Sequence, residues 1–391
     1  MKVKQADLYT FTLAFMIFGF YFQVSFFDFI GQTNSSISII YRAIIILAAF
    51  YLIMFGKSNR KDHISLLLFF AFAFVYFYSL LRSIVLEGEN LAFNPDYYFL
   101  MFFGGVVIPS LLWLGVNHLD IDKFKKLSKI LLLLTCFFVS VKYYLFTGEL
   151  TKSRLETESI SPIIIGHVAL SLLILTVVDL KAGKFYQYLI ILFCITLIFL
   201  SQSRSAFIAS AIIFTLYLTK KISLKVILTY FIVGLVTILA VLPLIEKLNS
   251  AVNAEFNTFR YIKIIGSNED LSSMSRFTSF KGAWSQFVDS PILGDHIEER
   301  TTKYYPHNII LEALMSTGVV GGVPLVLLIL LTIYRAQRLL NISDRGIVLS
   351  LLFYQYFTLA MFSSSIYLNT QLWYFMIGVN MVYLKSVCNK N

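Results

Sequence analysis

The sequence has few charged residues and few cysteines. Charged side chains make up only 14% of the 391 residues, whereas 58% are hydrophobic. A soluble globular chain is about a quarter charged and about half apolar, so this class is excluded. The three cysteines (Cys136, Cys194 and Cys388) are scattered, which indicates neither a disulfide framework nor a metal cluster. No small-residue cleavage site follows the first apolar run, and we therefore expect that run to remain as an anchor.

Long apolar runs occupy most of the chain. The runs at 64–81 and 226–245, for example, are long enough to cross about 30 Å of hydrocarbon. The sequence therefore predicts an all-α polytopic membrane protein with about 12 transmembrane helices. We expect these helices near 8–27, 36–55, 63–83, 97–116, 128–147, 162–180, 186–201, 205–219, 226–245, 309–334, 346–366 and 370–384.

Lysine and arginine predict the orientation of these helices, because cytoplasmic loops are enriched in them. With the N-terminus inside, the segments predicted to be cytoplasmic hold 19 of the 32 Lys and Arg residues, and the short outer loops hold almost none. Both termini are then cytoplasmic. The net charge of +10 mostly reflects this topology, and no nucleic-acid partner is needed to explain it.

One outer connection is much longer than the others. We divide the chain into transmembrane helices 1–9 at 1–245, a long outer loop at 246–306, and transmembrane helices 10–12 at 307–391. Within the loop, Phe277, Phe280, Trp284 and Phe287 recur at spacings of three, four and three. This spacing predicts an amphipathic helix with Ser275 as its N-cap and Pro291 as its stop. The helix lies either on the outer membrane surface or packed against the spans.

Arg204 stands in the turn SQSRS, between two helices that are too short. The flanking KAGK and KK segments are both predicted to be cytoplasmic, so residues 185–219 must cross outward and return. Two full crossings need about 40 residues, and we therefore expect the turn at or below the outer interface. A charge at the bilayer centre costs ~3 kcal/mol or more, which favours a functional arginine over one that snorkels to the headgroups.

Two further polar residues belong to the same outer region. Arg154 lies in the neighbouring outer loop, where it either pairs with Glu156 or Glu158 in solvent or takes part in binding. His167 lies about one turn inside the next span. It is either a hydrogen-bonded core histidine or a residue that lines a cavity, and we favour the cavity.

The segment PHNIILEALMSTGVVGG at 306–322 combines ionisable residues with glycines at the start of a span. A histidine at an outer helix start is able to act as a base or a hydrogen-bond donor near neutral pH. Asn308 and Glu312 are four residues apart and share a helix face, whereas His307 and Glu312 do not. The glycines at 318, 321 and 322 permit a kink or the close approach of another backbone, or tight packing between helices.

Three ordered motifs resemble the O-antigen ligase and polymerase superfamily. His307-Asn308, nine residues and then Gly318-Val-Val-Gly321 resembles the H-N-x9-G-x-x-G pattern of that family. SQSRSAFIASAIIF resembles its [S/T]-x-[S/T]-R motif, and SRFTSFKGAWSQFVDSPILGD resembles its loop helix with a P-x-x-G turn. The resemblance covers about 150–335. It implies a GT-C-like glycosyltransferase of lipopolysaccharide biosynthesis in the bacterial inner membrane, with its active site facing the periplasm.

The resemblance also implies roles for individual residues. Arg204 and Arg276 would bind the pyrophosphate of an undecaprenyl-pyrophosphate-linked oligosaccharide, since bidentate guanidinium groups suit phosphate oxygens. His307 would activate the acceptor hydroxyl or orient the donor, without a metal or another cofactor. Arg154 matches an outer-loop arginine of the family. The remaining candidates for substrate binding are His167, Asn308 and Glu312.

Three functions stay open at this point. We favour a Wzy-type O-antigen polymerase, because each O-antigen type tends to carry its own divergent polymerase; membrane lipid and a chain-length regulator protein are then the implied partners. The alternative is an O-antigen ligase that transfers the glycan to lipid A–core. A transporter or flippase of lipid-linked glycan is disfavoured, since the charges crowd at the outer face and 1–195 and 196–391 show no repeat.

Overall fold

The structure is a computed structural model, and it describes residues 2–32, 35–55, 62–87, 91–147, 155, 157–180, 184–221, 271–342 and 344–388. Within these ranges the chain is helical and forms no β-strand. The α-helices, labelled α1 to α14 in chain order, span Lys2–Ala14, Phe20–Phe29, Ser35–Phe55, His63–Glu87, Pro95–Phe102, Ile108–Leu112, Ile121–Thr147, Pro162–Val178, Phe185–Ser201, Arg204–Lys221, Leu271–Asp289, Ile309–Ile342, Asp344–Phe362 and Thr370–Cys388.

Five helical stretches in the described part of the chain are long and apolar enough to cross a membrane. They are Gln5–Phe29, Ile37–Phe55, His63–Leu86, Pro95–Gly115 and Ile309–Ile342, and shorter apolar helices occupy Pro162–Val178, Phe185–Ser201, Arg204–Thr219 and Gly346–Phe362. These stretches fall on nine of the predicted spans. Helices α7 and α14 cover two more, and the predicted span at 226–245 lies outside the described residues. The helices are those of a polytopic membrane protein.

Two helices extend beyond the apolar runs that predicted them. Helix α7 begins at Ile121 instead of residue 128, and α12 continues to Ile342 instead of residue 334. The added residues include lysines and arginines. These residues have high helix propensity and are stable in water, so the helix continues outside the hydrocarbon. Hydropathy detects the lipid-embedded part of a helix and therefore misses such extensions.

The chain divides into two compact units. The first unit comprises residues 1–22, 34–131 and 269–391. Its central helix is α14, in which every residue from 371 to 382 is buried, and α12 and α13 pack directly against it. Helix α4 packs along α12, and α11 lies against α12 as well. A buried ion pair between Arg335 and Asp62 links α12 to the start of α4, and Arg335 Nη1 also donates to Asn380 Oδ1 of α14 at 2.9 Å.

The second unit comprises residues 23–33 and 132–268. Its described part centres on α8, in which all residues from 165 to 176 are buried. Helices α9 and α10 both pack on α8. Since α8 is apolar all round, it matches a helix enclosed by other helices instead of one with a single apolar stripe.

Helix α11 differs from its prediction at its start and agrees with it at its end. The assignment of Ser275 as the N-cap was wrong, because the helix already includes Leu271–Met274. Serines at 272, 273 and 275 all offer the same capping signal, and no helix-breaking residue separates them. The helix ends at Asp289, two residues before Pro291, as the proline predicts. The rest of the long loop, residues 246–270, lies outside the described residues.

Candidate functional site

His307 lies directly before α12 in an unusual backbone conformation. Its φ is 56°, in the left-handed region that few non-glycine residues adopt. Its ring packs edge-on against Tyr305, with centroids 4.6 Å apart, and lies 5.9 Å from the ring of Tyr304. Ring atom Nδ1 is buried and has no hydrogen-bond partner in the described part of the chain. Strained backbone of this kind clusters at functional sites.

The surroundings of His307 keep its imidazole neutral. Burial lowers the pKa of His307 to about 4, and the positive charge of Arg276 contributes to the same shift. A histidine in water has a pKa of about 6.5. At neutral pH the ring is therefore unprotonated and is able to accept a proton. Burial is the main cause of this state.

Arg276 is positioned by α11, which lies against α12 in the first unit. Its Nη1 donates a hydrogen bond of 2.9 Å to the carbonyl oxygen of Phe362, at the end of α13. Its charge also opposes the strong upward shift that burial imposes on the pKa of Tyr305. Arg276 and His307 thus belong to one electrostatic neighbourhood, although they are 31 positions apart in the sequence.

Asn308 caps α12. Its Oδ1 accepts a hydrogen bond from the backbone N–H of Leu311 at 3.0 Å, and its carbonyl accepts the N–H of Glu312 at 2.8 Å. Its Nδ2 donates to the carbonyl oxygen of Met361 at 3.4 Å. Asparagine is among the residues preferred at the N-cap, since its side chain satisfies a free N–H of the first turn. The cap fixes the helix start directly after His307.

Glu312 is fully buried, with 0% of its surface exposed. Its Oε2 accepts a hydrogen bond from the backbone N–H of Ile366 at 3.0 Å, whereas its Oε1 has no partner in the described part of the chain. Ile366 belongs to the link between α13 and α14, so this carboxyl group joins that link to α12. The structure thus supplies the structural partner that the sequence left unassigned.

The motif glycine Gly318 interrupts α12. Its backbone has φ 59° and ψ −158°, which no helix allows. A Cβ atom at this position would lie 2.3 Å from the carbonyl oxygen of Ile292 and 2.6 Å from the N atom of Gly294. The N–H groups of Val319 and Val320 donate to the carbonyls of Pro291 and Ile292 at 2.8 and 3.2 Å. Both predicted properties of this glycine, a kink and a close backbone approach, are confirmed.

The P-x-x-G turn of the loop is therefore bonded backbone to backbone with the broken part of α12. Gly294 itself has φ 69°, and a Cβ atom there would lie 2.3 Å from the carbonyl carbon of Ser316. The N–H of Asp295 donates to the carbonyl of Met315 at 2.8 Å. Since both backbones approach within Cβ contact, only glycine fits at either position. Two motifs that are separate in the sequence thus form one joint.

Acidic residues in the run HIEERTTK, which sequence reasoning did not single out, hold the end of the long loop in shape. The Glu299 carboxylate accepts hydrogen bonds from the N–H groups of Thr301 and Thr302 at 2.8 and 2.6 Å. Burial raises the pKa of Glu299, but hydrogen bonds from Thr302 and Thr301 outweigh it and leave the pKa below its ordinary value. The neighbouring Glu298 accepts hydrogen bonds from the Tyr98 hydroxyl and from the N–H of Ala92.

Asp295 completes this arrangement. Arg300 pairs with the Asp295 carboxylate through two hydrogen bonds, of 2.7 and 2.8 Å. The backbone carbonyl of Asp295 accepts a hydrogen bond from Arg82 of α4. The segment between α11 and α12 is thus tied to α4 as well as to α11. A polar run before an apolar helix was the available sequence signal, but it does not reveal the partners.

Arg204 and His167 lie in the second unit, where Arg204 is the first residue of α10. Helices α9 and α10 have 17 and 18 residues, or about 25 to 27 Å at 1.5 Å per residue. The connecting turn is Gln202-Ser203, with Gln202 at φ 49°. These bounds agree with the two short helices predicted on either side of the turn. Its depth in the membrane remains a prediction.

His167 supports this turn from α8. It is 2% exposed, and its Nε2 lies 3.1 Å from the Ser205 hydroxyl. The Ser203 and Ser205 hydroxyls are 3.2 Å apart. The preceding Gly166 would place a Cβ atom 2.8 Å from the Ser201 hydroxyl, so the turn packs directly on α8. The sequence candidate Arg154 lies outside the described residues, and no described group of three or more His, Cys, Asp or Glu residues is placed to hold a metal ion.

Comparison with known proteins agrees with these motifs. A family model described as O-Antigen ligase matches residues 189–295, a range that contains Arg204, Arg276 and the P-x-x-G turn. No curated protein and no solved structure matches the chain. The match supports a role in O-antigen assembly, broadly as ligase or polymerase. It confirms the superfamily that the ordered motifs predict, the O-antigen ligase and polymerase superfamily.

Proposed function

We propose that this protein is an O-antigen polymerase. It joins oligosaccharide repeat units carried on undecaprenyl pyrophosphate, at the periplasmic face of the inner membrane. The observation that carries the proposal is that the guanidinium of Arg276, on α11, lies close enough to influence the neutral imidazole of His307 beside the start of α12. The O-Antigen ligase match and the set of long apolar helices support the lipid-linked glycan as substrate and the membrane as the site of reaction.

In the proposed reaction, an acceptor sugar hydroxyl attacks the anomeric carbon of the donor glycan. A glycosidic bond forms while the bond between that carbon and the pyrophosphate oxygen breaks. His307 takes the hydroxyl proton, because its lowered pKa leaves the ring unprotonated near neutral pH. Negative charge grows on the leaving pyrophosphate, and fixed cations stabilise it most effectively where water is excluded. Arg276 supplies one such cation, and it requires no metal ion for this role.

The other candidates take supporting roles in the proposal. The family resemblance is the basis for assigning Arg204 and Arg154 to binding of the donor. The side chains of Asn308 and Glu312 are engaged with Leu311 and Ile366, so we assign them to holding the start of α12 beneath the glycan. His167 holds the Ser-Gln-Ser-Arg-Ser turn through Ser205. The glycan itself then contacts His307 and Arg276 in the first unit.

An O-antigen ligase is the second candidate, favoured by the description of the matching family. The two enzymes share donor chemistry and differ in the acceptor: another lipid-linked repeat unit for the polymerase, lipid A–core for the ligase. The proposed roles of Arg276 and His307 are the same in both. Only the acceptor specificity separates them.

A reconstituted assay tests the proposal and separates the candidates. The purified protein in liposomes receives undecaprenyl-pyrophosphate-linked repeat units, with lipid A–core present or absent, and the glycan products are resolved by length. A ladder without lipid A–core supports the polymerase; transfer that requires lipid A–core replaces it with the ligase. Movement of unchanged glycan across the bilayer, without transfer in either arm, would overturn the proposal that the protein is an enzyme. The His307→Ala protein, prepared in parallel, should yield no product in the productive arm.

A further inference from the structure

Helix α11 carries its apolar side chains on the outside. Its packed face is small and polar, with Ser279, Ala283 and Gln286 all buried. Phe277 and Trp284, by contrast, are 72% and 54% exposed. Exposed apolar patches of this kind mark interaction surfaces, because apolar side chains gain free energy when they leave water. Part of this exposed side forms a line along the helix that we call the outer stripe: Met274, Phe277, Lys281, Trp284 and Val288. The exposed polar residues Ser275, Thr278, Ser285 and Asp289 lie beside it.

Polar contacts prevent the helix from turning its outer stripe inward. The Ser279 and Thr302 hydroxyls lie 3.2 Å apart, and Gln286 accepts the backbone N–H of Arg300 at 2.9 Å. Gln286 also donates from Nε2 to the carbonyl oxygen of Glu298 at 3.3 Å. A rotation that buried the outer stripe would break these bonds and leave their donors and acceptors unpaired, which is unfavourable for buried polar groups.

At the Gly282 position the packing is closer still. A Cβ atom there would lie 2.0 Å from the Oε1 atom of Glu299. The helix backbone therefore rests on the acidic end of the loop, and a side chain at position 282 would collide with Glu299. These contacts fix the orientation of the helix, so the outer stripe faces away from the packed side.

The outer stripe continues onto a transmembrane helix. After α11 the chain turns through Ile292 and Leu293, which are both exposed. This turn is bonded to α12 by the N–H groups of Val319 and Val320, as described above. From that joint, α12 presents exposed apolar side chains along its length, at Val319, Val320, Val323, Leu327 and Leu330. Because α12 is apolar and long enough to span a bilayer, this exposed surface faces lipid.

We propose that α11 is an interfacial membrane helix whose outer stripe enters the lipid leaflet at the Ile309 end of α12. The occupant of the stripe is the headgroup and acyl boundary of that leaflet, where amphipathic helices bury their apolar face about 5–10 Å deep. Trp284 suits this depth because its ring has both apolar and polar edges. Lys281 lies in the stripe with its amine free to extend to the headgroups. Continuity with the lipid-facing side of α12 favours lipid over a soluble partner.

The proposal has a consequence for the site. Arg276 lies on α11, so a leaflet that holds the helix also sets the depth at which this guanidinium meets a lipid-linked pyrophosphate. This consequence rests on the proposed function, whereas the membrane contact does not. The experiment below measures the contact without any substrate, so its outcome is independent of the outcome of the glycan assay.

Tryptophan fluorescence tests the contact directly. The chain has three tryptophans, and Trp113 and Trp373 are 0% exposed. The full protein is reconstituted into phosphatidylcholine vesicles with or without lipids brominated on their acyl chains, and aqueous iodide is added separately. We expect brominated lipid to quench a component of the emission that is lost in Trp284→Phe, and iodide to leave that component unchanged.

A matched variant tests the specificity of the face. In Trp284→Phe/Asp289→Trp the indole moves five residues along α11, about 140° around the helix. We expect this indole to be quenched by iodide and spared by brominated lipid. The proposal is overturned if brominated lipid quenches wild type and Trp284→Phe equally, if iodide quenches Trp284, or if both positions respond to brominated lipid alike. Quenching by iodide would indicate that the outer stripe is exposed to water. The absence of quenching by either agent would indicate that protein covers the outer stripe.

Discussion

Replacing Gly318 by alanine should break the joint between the long loop and α12. The φ of 59° and ψ of −158° lie in a region that is essentially open to glycine alone, and a side chain there costs about 1–3 kcal/mol. The new Cβ would also lie 2.3 Å from the carbonyl oxygen of Ile292 and 2.6 Å from the N atom of Gly294. These are backbone atoms, which no rotamer change moves aside. Overpacking adds about 1–3 kcal/mol, so we expect Gly318→Ala to lower the free energy of unfolding by about 2 to 6 kcal/mol.

The matched control is Gly322→Ala on the same helix. The closest obstacle to its Cβ is the end of the Leu314 side chain, at 2.6 Å, which is free to change rotamer. Alanine in a helix interior is favoured over glycine by about 1 kcal/mol, so this variant should stay within about 1 kcal/mol of wild type. The free energy of unfolding is measured by SDS titration of the purified protein in mixed micelles. Equal stability of Gly318→Ala and Gly322→Ala would refute the left-handed conformation and the backbone contact at Gly318.

Three further predictions concern the site. Transfer activity should be constant from pH 8 to about pH 5 and fall only as pH approaches 4, because His307 stays neutral above its lowered pKa; an inflection near 6.5 in a pH–rate profile would contradict its burial. Arg276→Lys keeps the charge but loses the bidentate guanidinium, and we expect at least a tenfold loss of kcat/KM for the lipid-linked donor; full activity would reduce Arg276 to a simple point charge. Glu312→Gln retains an acceptor for the N–H of Ile366 and should unfold near the wild-type SDS concentration. Glu312→Leu should lower the free energy of unfolding by about 1–3 kcal/mol. Equal stability of the two variants would show that this hydrogen bond does not stabilise the protein.

The proximity of Arg276 and His307 shows how far a motif leads and where it stops. The ordered motifs select both residues from the sequence, and a kinked helix with close backbone packing follows from Gly318. The motifs do not say that Arg276 bonds the carbonyl of Phe362, or that the P-x-x-G turn is the backbone that Gly318 admits. Such contacts join residues from different helices, and spacing along one helix carries no information about them.

Asn308 and Glu312 illustrate the same limit. Their separation of four residues correctly indicates that they share a helix face. It does not distinguish a glycan-binding face from a structural one, and the structure engages both: Asn308 caps α12, and Glu312 bonds Ile366, which lies 54 residues away. Asp295 and Glu298 were missed because Arg82 and Tyr98, which bond them, lie on other helices, and Glu299 because its partners Thr301 and Thr302 belong to an irregular turn.

By itself, the sequence determines that this protein is a helical membrane protein and that it resembles the O-antigen ligase and polymerase superfamily. Hydropathy decides the first, because a span needs an unbroken apolar run, and the ordered motifs decide the second. The tertiary structure alone decides which side of each apolar helix is packed. The aromatic spacing of α11 predicts a face, yet Phe277 and Trp284 of that face are exposed and the small polar side is buried. In a membrane protein, lipid and protein interior are similarly apolar, so hydrophobicity does not tell a packed face from a lipid-facing one; only the polar and glycine contacts with other helices do.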